Sequence, residues 1–248
     1  RNPSASDTME LSATFGNFGR QNFTGAIPVT LIDNHLYARL SVVSRNAEGN
    51  VRNNYNTQDR LGSEDFVGSR LALRYEADGG ATVDLTLDAS QQKQAPAPYY
   101  LVGLSSAPNM LVNVAAARTP YLPASSLVPL NPSWSDLDHI NTDAGAAYGG
   151  LLPAGRGANG RSADNATFYG ASLSAQQNLA GDVTLRSITG YRSYTRLLSQ
   201  DIDGTPIDLI DQVYSDRGSQ ITQEFQLNST QFGGRLQWVG GLFYMHQS

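Results

Sequence analysis

The chain has 248 residues, no cysteine, 24 glycines and a formal net charge of −5 at pH 7. Thiol chemistry, disulfides and cysteine-based zinc sites are therefore excluded, and the acidic balance argues against nucleic acid as a partner. No run of 18 apolar residues occurs, which excludes a transmembrane helix but not a transmembrane barrel, whose alternating strands average out polar.

Residues 8–16 place Met9, Leu11, Ala13 and Phe15 in one phase and Glu10, Ser12 and Thr14 in the other. That period of two marks a strand with one apolar face. Asn17-Phe18-Gly19 reads as a tight connection. Residues 20–31 then align Phe23, Gly25, Ile27, Val29 and Leu31, with Pro28 in the opposite phase; a proline there predicts an edge or a bulge, because it has no amide to donate. After a turn at 32–34, residues 35–45 set Leu36, Ala38, Leu40 and Val42 against Tyr37, Arg39 and Ser41. A polar loop is expected over 46–64.

Residues 65–77 group Val67, Leu71, Leu73 and Tyr75 opposite Arg70, Arg74 and Glu76, and Asp78-Gly79-Gly80 is a hairpin signal. Residues 81–92 alternate most cleanly, with Val83, Leu85, Leu87 and Ala89 against Asp84, Thr86, Asp88 and Ser90. A long irregular stretch over 93–165 carries most of the prolines. Strands are expected again over 167–178 and 183–199, then a loop over 200–216. The last hairpin, 217–248, turns at 231–234. Ile221, Phe225 and Leu227 share its apolar phase with Leu236, Trp238, Leu242 and Tyr244, while Val239, Phe243 and Met245 leave the second strand's outward face unsettled.

Nine strands result, and after the first connection long and short connections alternate. Outer-membrane barrels have this rhythm, with short turns at one rim and longer loops at the other. Strands of about 10–13 residues suit a tilted span of roughly 9–11, whereas sandwich strands run about five or six. The expected fold class is all-β: an antiparallel up-and-down transmembrane barrel. An open sheet cannot sit in lipid with unpaired edges, so the nine strands are expected to be the first part of a larger barrel. The lack of cysteine fits an oxidising envelope compartment. The chain opens on Arg1-Asn2-Pro3 without a signal-peptide pattern, so an export signal is expected to have been removed or to lie upstream.

Several stretches resemble the TonB-dependent receptors of the Gram-negative outer membrane. Arg1-Asn2-Pro3 is similar to the end of that family's plug-to-barrel junction, and residues 14–20, Thr-Phe-Gly-Asn-Phe-Gly-Arg, to its first barrel hairpin. Ile188-Thr189-Gly190-Tyr191-Arg192, the run Gln223 to Ser229 and the run Trp238 to Tyr244 resemble its recurrent mid-barrel strands. The resemblance covers the chain except for 93–165. It implies a 22-stranded barrel filled by a plug, in the cell outer membrane. It further implies active uptake of a scarce large ligand (an iron–siderophore, cobalamin or a glycan) energised by TonB. The partners implied are outer-membrane lipid, the protein's own plug domain, TonB and that ligand, with no cofactor. Plug and TonB box are not found among these residues.

Two sets of candidate site residues follow. Glu10, Arg39, Arg70, Arg74, Asp84, Asp88, Arg186 and Glu224 occupy the polar phase and are expected to face the lumen and the plug; cross-strand ion pairing, a routine stabiliser of sheets, is the favoured structural reading and does not exclude a plug docking on the same wall. In the long loop, Tyr99, Tyr100, Tyr121, Trp134 and Tyr148 are candidates for stacking on a ligand, and Arg118, Arg156 and Arg161 for holding an anionic chelate. Packing of the loop on itself is the structural alternative.

Asp136, Asp138, His139 and Asp143, and separately Asp201, Asp203, Asp208 and Asp211, are acidic clusters of the kind that bind metals, but neither matches an EF-hand and no metal is assigned. The three histidines, His35, His139 and His246, lie in different elements. No Gly-x-Ser-x-Gly elbow occurs, and Asp84 and Asp88 on one strand fit a wall better than a glycosidase pair. No enzyme is expected. Two rival readings remain: a passive porin-like channel, and a soluble carbohydrate-binding sandwich or propeller.

Overall fold

The computed structural model describes residues 2–53, 60–97, 99, 139–140, 163–180, 182–201 and 211–248. Nine strands form one antiparallel sheet in which every neighbour in space is the neighbour in sequence. They are β1 (Glu10–Gly16), β2 (Arg20–Ile32), β3 (Leu36–Ala47), β6 (Glu64–Glu76), β7 (Thr82–Gln94), β9 (Ala163–Asn178), β10 (Val183–Asp201), β11 (Asp211–Gln231) and β12 (Leu236–Gln247). A second, three-stranded sheet is made by β4 (Val51–Asn53), β5 (Arg60–Leu61) and β8 (His139–Ile140). No helix is among the described residues.

The nine expected strands are present, with two extensions. β9 begins at Ala163 rather than near 167, and β11 begins at Asp211 rather than at Arg217. Ala163-Asp164-Asn165 and Asp211-Gln212 have poor strand propensity. They are held in the ladder by pairing: Ala163 with Ser199, and Asp211 with Asp201. The region 46–64, expected to be a loop, contains two short strands. The chain just before β4 passes close to β5: a β-carbon on Gly49 would fall on the Leu61 carbonyl oxygen. Val51 and Leu61 are buried there and pack with Ala95. Leu61 thereby leaves the surface, which a reading based on strand alternation alone does not anticipate.

Turn chemistry follows the sequence. Phe18 and Gly19 both take positive φ, as do Asn34, Gly80, Asp182, Gly233 and Gly234. Paired positive φ values match the right-handed twist of hairpin strands, which explains why Gly19 follows Phe18. Pro28 is accommodated as its chemistry requires: β1 pairs with β2 only as far as Glu10–Ala26, so Pro28 lies where β2 has a free edge. The same strand carries an irregularity between Thr30 and Ile32.

Candidate functional site

The ladder fixes which side chains share a face. One row across the sheet runs Ser41, Arg70, Asp88, Gly170, Arg192, Gln220. Two rows towards the short turns, the same face carries Tyr37, Arg74, Asp84, Ser174, Ile188 and Glu224. Glu10, Arg39, Arg70, Arg74, Asp84, Asp88, Arg186 and Glu224 all belong to this polar face, since successive side chains in a strand alternate.

Charge on this face is paired across strands. Arg74 grips Asp84 with two parallel hydrogen bonds, Nε to Oδ1 at 2.7 Å and Nη2 to Oδ2 at 2.8 Å. Fork-on-carboxylate geometry of this kind is stronger than a single contact. Asp88 serves two cations: Arg192 Nη1 donates to it at 2.6 Å, and Arg70 Nη2 lies 3.8 Å away. Asp88 and Arg192 sit on strands separated by β9, and the residue between them is Gly170. A β-carbon on Gly170 would stand 2.6 Å from the Arg192 Nη1 and 2.8 Å from the Asp88 Oδ2. The glycine is the passage through which the bridge crosses the intervening strand. Arg186 donates to Ser174 at 3.3 Å, and Glu224 accepts from Gln226 at 2.6 Å.

Further pairs were not anticipated from sequence. Asp164 takes a two-pronged bond from Arg196 at 2.8 and 3.0 Å and a third from Gln92 at 3.0 Å. Glu64 accepts from Arg20 at 2.7 Å and lies 3.3 Å from Arg45, whose guanidinium also stacks 4.7 Å from the centre of the Phe66 ring. Tyr194 donates to Asp216 at 2.6 Å and stacks with Phe168. The signal lay in the polar phase of β9 and β11, but Asp164 and Asp216 fell in stretches read as loop.

The segment before β1 lies against the polar face. Asn2 donates to Asp84 at 3.2 Å, and Pro3 is fully buried. The Asp7 carboxylate is enclosed, 3.6 Å from Arg39, which itself reaches Glu10 at 3.1 Å.

The opposite face is apolar and open. Leu11, Phe15, Phe23, Ile27, Leu40, Val42, Val67, Leu87, Leu173, Ile221, Phe225 and Leu242 all stand exposed on it. Ladder pairing also settles β12: Trp238, Leu242 and Tyr244 pair with Ser229, Phe225 and Gln223 and so share this face, while Val239, Phe243 and Met245 lie on the polar one.

The apolar run does not follow the ladder rows. On β2 it spans Phe23 to Leu31, centred on Ile27, whose row continues through Leu40, Leu71, Leu87, Ala171, Tyr191 and Ile221 to His246. On β12 the run spans Leu236 to Tyr244, centred on Gly240, six residues below His246. Six residues over seven strand steps is slightly under one per strand. At about 3.3 Å per residue and 4.8 Å between strands this is a tilt of about 30°. Strands of membrane barrels tilt by roughly 35–45°. A band of constant height on tilted strands produces this drift; a soluble core has no reason to.

One polar group interrupts the band. Ser187, Thr189 and Gln223 lie on the apolar face between Leu185, Tyr191, Phe225 and Ile221. Their polar atoms bond one another: Thr189 Oγ1 donates to the Gln223 carbonyl at 2.6 Å, and the Gln223 amide donates to Ser187 at 3.0 Å and to the Glu224 carbonyl at 3.3 Å. In hydrocarbon such groups have no water to turn to, so mutual pairing is the way they are tolerated.

Of the long-loop candidates, Tyr99 is described and is exposed. Tyr100, Arg118, Tyr121, Trp134, Tyr148, Arg156 and Arg161 lie outside the described residues, as do Asp136, Asp138, Asp143, Asp203 and Asp208. His139, Asp201 and Asp211 are described as strand backbone only. Among the described residues no group of three or more His, Asp or Glu is placed to hold a metal ion.

Solved structures share this architecture. The ferric yersiniabactin uptake receptor FyuA from Yersinia pestis matches with a TM-score of 0.70 at 10% identity, over 100% of this chain and 32% of its own. The ferric-catecholate import receptor Fiu from E. coli K12 matches in its open form with a TM-score of 0.65 at 15% identity, over 100% of this chain and 35% of its own. Its closed form matches with the same score and identity over 32% of its own chain. The fold is that of part of a receptor barrel. It agrees with the resemblance to TonB-dependent receptors drawn from the sequence. The chain spans about a third of the length of the solved structures it matches. No protein-family model matches it, and no curated protein does.

Proposed function

We propose that these strands are the first part of the barrel of a TonB-dependent outer-membrane receptor that takes up a scarce, large ligand. The observation that carries the reading is the pairing of two unlike faces: an exposed apolar band that drifts as tilted strands in a bilayer require, backed by an ion-paired polar wall. The likeness over the whole chain to receptors named for ferric yersiniabactin and ferric catecholate uptake supports a ferric chelate as the first ligand class to test. Cobalamin and glycans are the next. In this reading the polar face is the lumen wall, and 95–162 is an external loop in which Tyr99 and the other aromatic and arginine candidates meet the ligand.

The segment at residues 2–7 favours a filled barrel over an open pore. Its contacts with Asp84 and Arg39 run along the polar face, where a plug would sit. The test is growth of cells carrying or lacking the full-length protein, on single iron sources, with and without a functional TonB. TonB-dependent growth on one ferric chelate is the expected result. Growth that is unaffected by TonB would favour the passive channel. A protein that stays monomeric in buffer without detergent would overturn the membrane reading.

A further inference from the structure

The hydrogen-bonded cluster of Ser187, Thr189 and Gln223 lies near the middle of the apolar band. The centre of that band moves down by slightly under one residue per strand from the Ile27 row. Five strand steps separate β2 from β10, so on β10 the centre falls about four residues below Tyr191, at Ser187. Thr189 is the next outward residue above it, and its ladder partner on β11 is Gln223. Leu173, Tyr191, Ile221 and Phe225 surround the cluster and stand exposed on the same face. On β9 the residues opposite Tyr191 and Ser187 are Ala171 and Ala175, whose short side chains leave the surface beside the cluster low.

Donors and acceptors within the cluster do not balance. Ser187 and Thr189 each bring one polar hydrogen, and the Gln223 amide brings two. The Glu224 carbonyl fixes the orientation of that amide, because it can only accept and lies 3.3 Å from the Gln223 nitrogen. Three hydrogens are spent: that of Thr189 on the Gln223 oxygen, and those of the amide on Ser187 and the Glu224 carbonyl. The hydroxyl hydrogen of Ser187 has no acceptor among the described residues. The Thr189 and Gln223 oxygens each keep an unused lone pair. In hydrocarbon, an unspent donor beside unspent acceptors is unfavourable, and neither water nor an acyl chain relieves it.

We propose that a second copy of the protein docks on this patch in the plane of the membrane, about a two-fold axis passing beside Ser187. The cluster is self-complementary, as a two-fold contact requires. Each Ser187 hydroxyl donates to the partner's Thr189 or Gln223 oxygen and its own cluster accepts the same bond in return. Polar side chains hold membrane segments together in this way, and small residues beside them allow close approach. Leu173, Tyr191, Ile221 and Phe225 then close an apolar ring around the paired clusters and keep lipid out. A lipid fits the patch less well, because at this depth an acyl chain offers Ser187 no acceptor. The proposal rests on the reading of the apolar face as a membrane face.

The test uses the full-length protein, labelled with donor or acceptor dye, in phosphatidylcholine vesicles. Energy transfer between copies is followed as the protein is diluted with added lipid. The wild type is expected to pair reversibly, with the transfer fitting a dimer. The triple variant Ser187→Ala/Thr189→Val/Gln223→Leu removes every polar group of the patch together, so no partner is stranded and the fold is expected to tolerate it. It is expected to weaken pairing roughly tenfold, the loss of two modest hydrogen bonds in a bilayer. Thr86→Val, on the polar face, is expected to leave pairing unchanged. Equal pairing by the triple variant overturns the proposal. So does a wild type that stays monomeric at every density, which would leave lipid or an unrelated protein as the cover of the patch. Failure of the protein to insert in vesicles at all would instead refute the membrane reading on which the proposal stands.

Discussion

Replacing Gly170 with alanine tests whether the polar wall is built as a network or as a set of independent pairs. Alanine in a strand is favoured over glycine by about 0.5–1 kcal/mol, because glycine has more backbone freedom to lose. Against that gain, the new methyl group falls 2.6 Å from Arg192 Nη1 and 2.8 Å from Asp88 Oδ2, so the bridge must shift or open. The bridge is short, at 2.6 Å, but the Arg192 side chain is 61% exposed against 18% for Asp88. Hydrogen bonds to charged groups contribute about 1.5–3 kcal/mol and exposed pairs about 0.2–1, so this half-exposed pair is assigned about 1 kcal/mol. The two effects nearly cancel, and Gly170→Ala alone is expected to look neutral. In an Arg192→Gln background, where there is no bridge to break, the same change is expected to stabilise by about 0.5–1 kcal/mol. A double-mutant cycle on the full-length protein in vesicles, unfolded in urea and followed by tryptophan fluorescence, should yield an interaction energy of about 1 kcal/mol. An interaction energy of zero would show that Gly170 is not the passage for the bridge.

Three other substitutions separate the faces. Leu85→Arg, on the apolar face, is expected to cost about 2–4 kcal/mol in a bilayer, while Thr86→Arg on the polar face costs far less, read by the same unfolding assay. Equal costs would contradict the assignment of faces. Asp84→Ala is expected to cost about 3 kcal/mol, because it strands a part-buried Arg74 whose remaining acidic neighbour, Glu76, is 4.0 Å away; restoration by Arg74→Met in the same molecule would confirm the cause. Gln223→Leu should destabilise by about 1 kcal/mol by leaving Thr189 and Ser187 without their partner in lipid, whereas the triple change Gln223→Leu/Thr189→Val/Ser187→Ala is expected to be neutral or stabilising.

The strands were legible in the sequence because a sheet with one apolar and one polar face writes its two environments into alternate residues. Asp84 and Leu85 needed no tertiary information to be assigned opposite faces. What could not be read depends on contacts made at a distance. Asp164 appears in a stretch without apolar alternation, and only the approach of Arg196 and Gln92 shows that it belongs to a strand. Leu61 reads as loop because its partner Val51 lies ten positions earlier in a stretch of sequence with no periodic signal. Gly170 reads as one more small residue of a strand. Its role appears only when Asp88 and Arg192, more than a hundred positions apart in sequence, are seen to meet above it. Of the ligand candidates, Tyr99 alone lies among the described residues.

β12 sharpens the question of what fills the barrel. Everywhere else the polar face carries charges, hydroxyls, amides or small residues, with few large apolar side chains. On β12 the same face carries Val239, Phe243 and Met245, exposed by 72%, 63% and 51%. Their cross-strand partners are Asn228, Glu224 and Thr222, so they have no apolar neighbour on β11 to pack against. A strand that is apolar on both faces is characteristic of one covered on both. Lipid covers one face of β12 in the proposed barrel, and the other then requires protein inside the lumen at this position. Phe243→Ala is therefore expected to cost the full-length receptor about 3–5 kcal/mol, the range for a covered aromatic side chain. Water-exposed positions respond within about 0.5 kcal/mol. A loss in that smaller range would mean that Phe243 faces water, and that the barrel is open rather than filled beside β12.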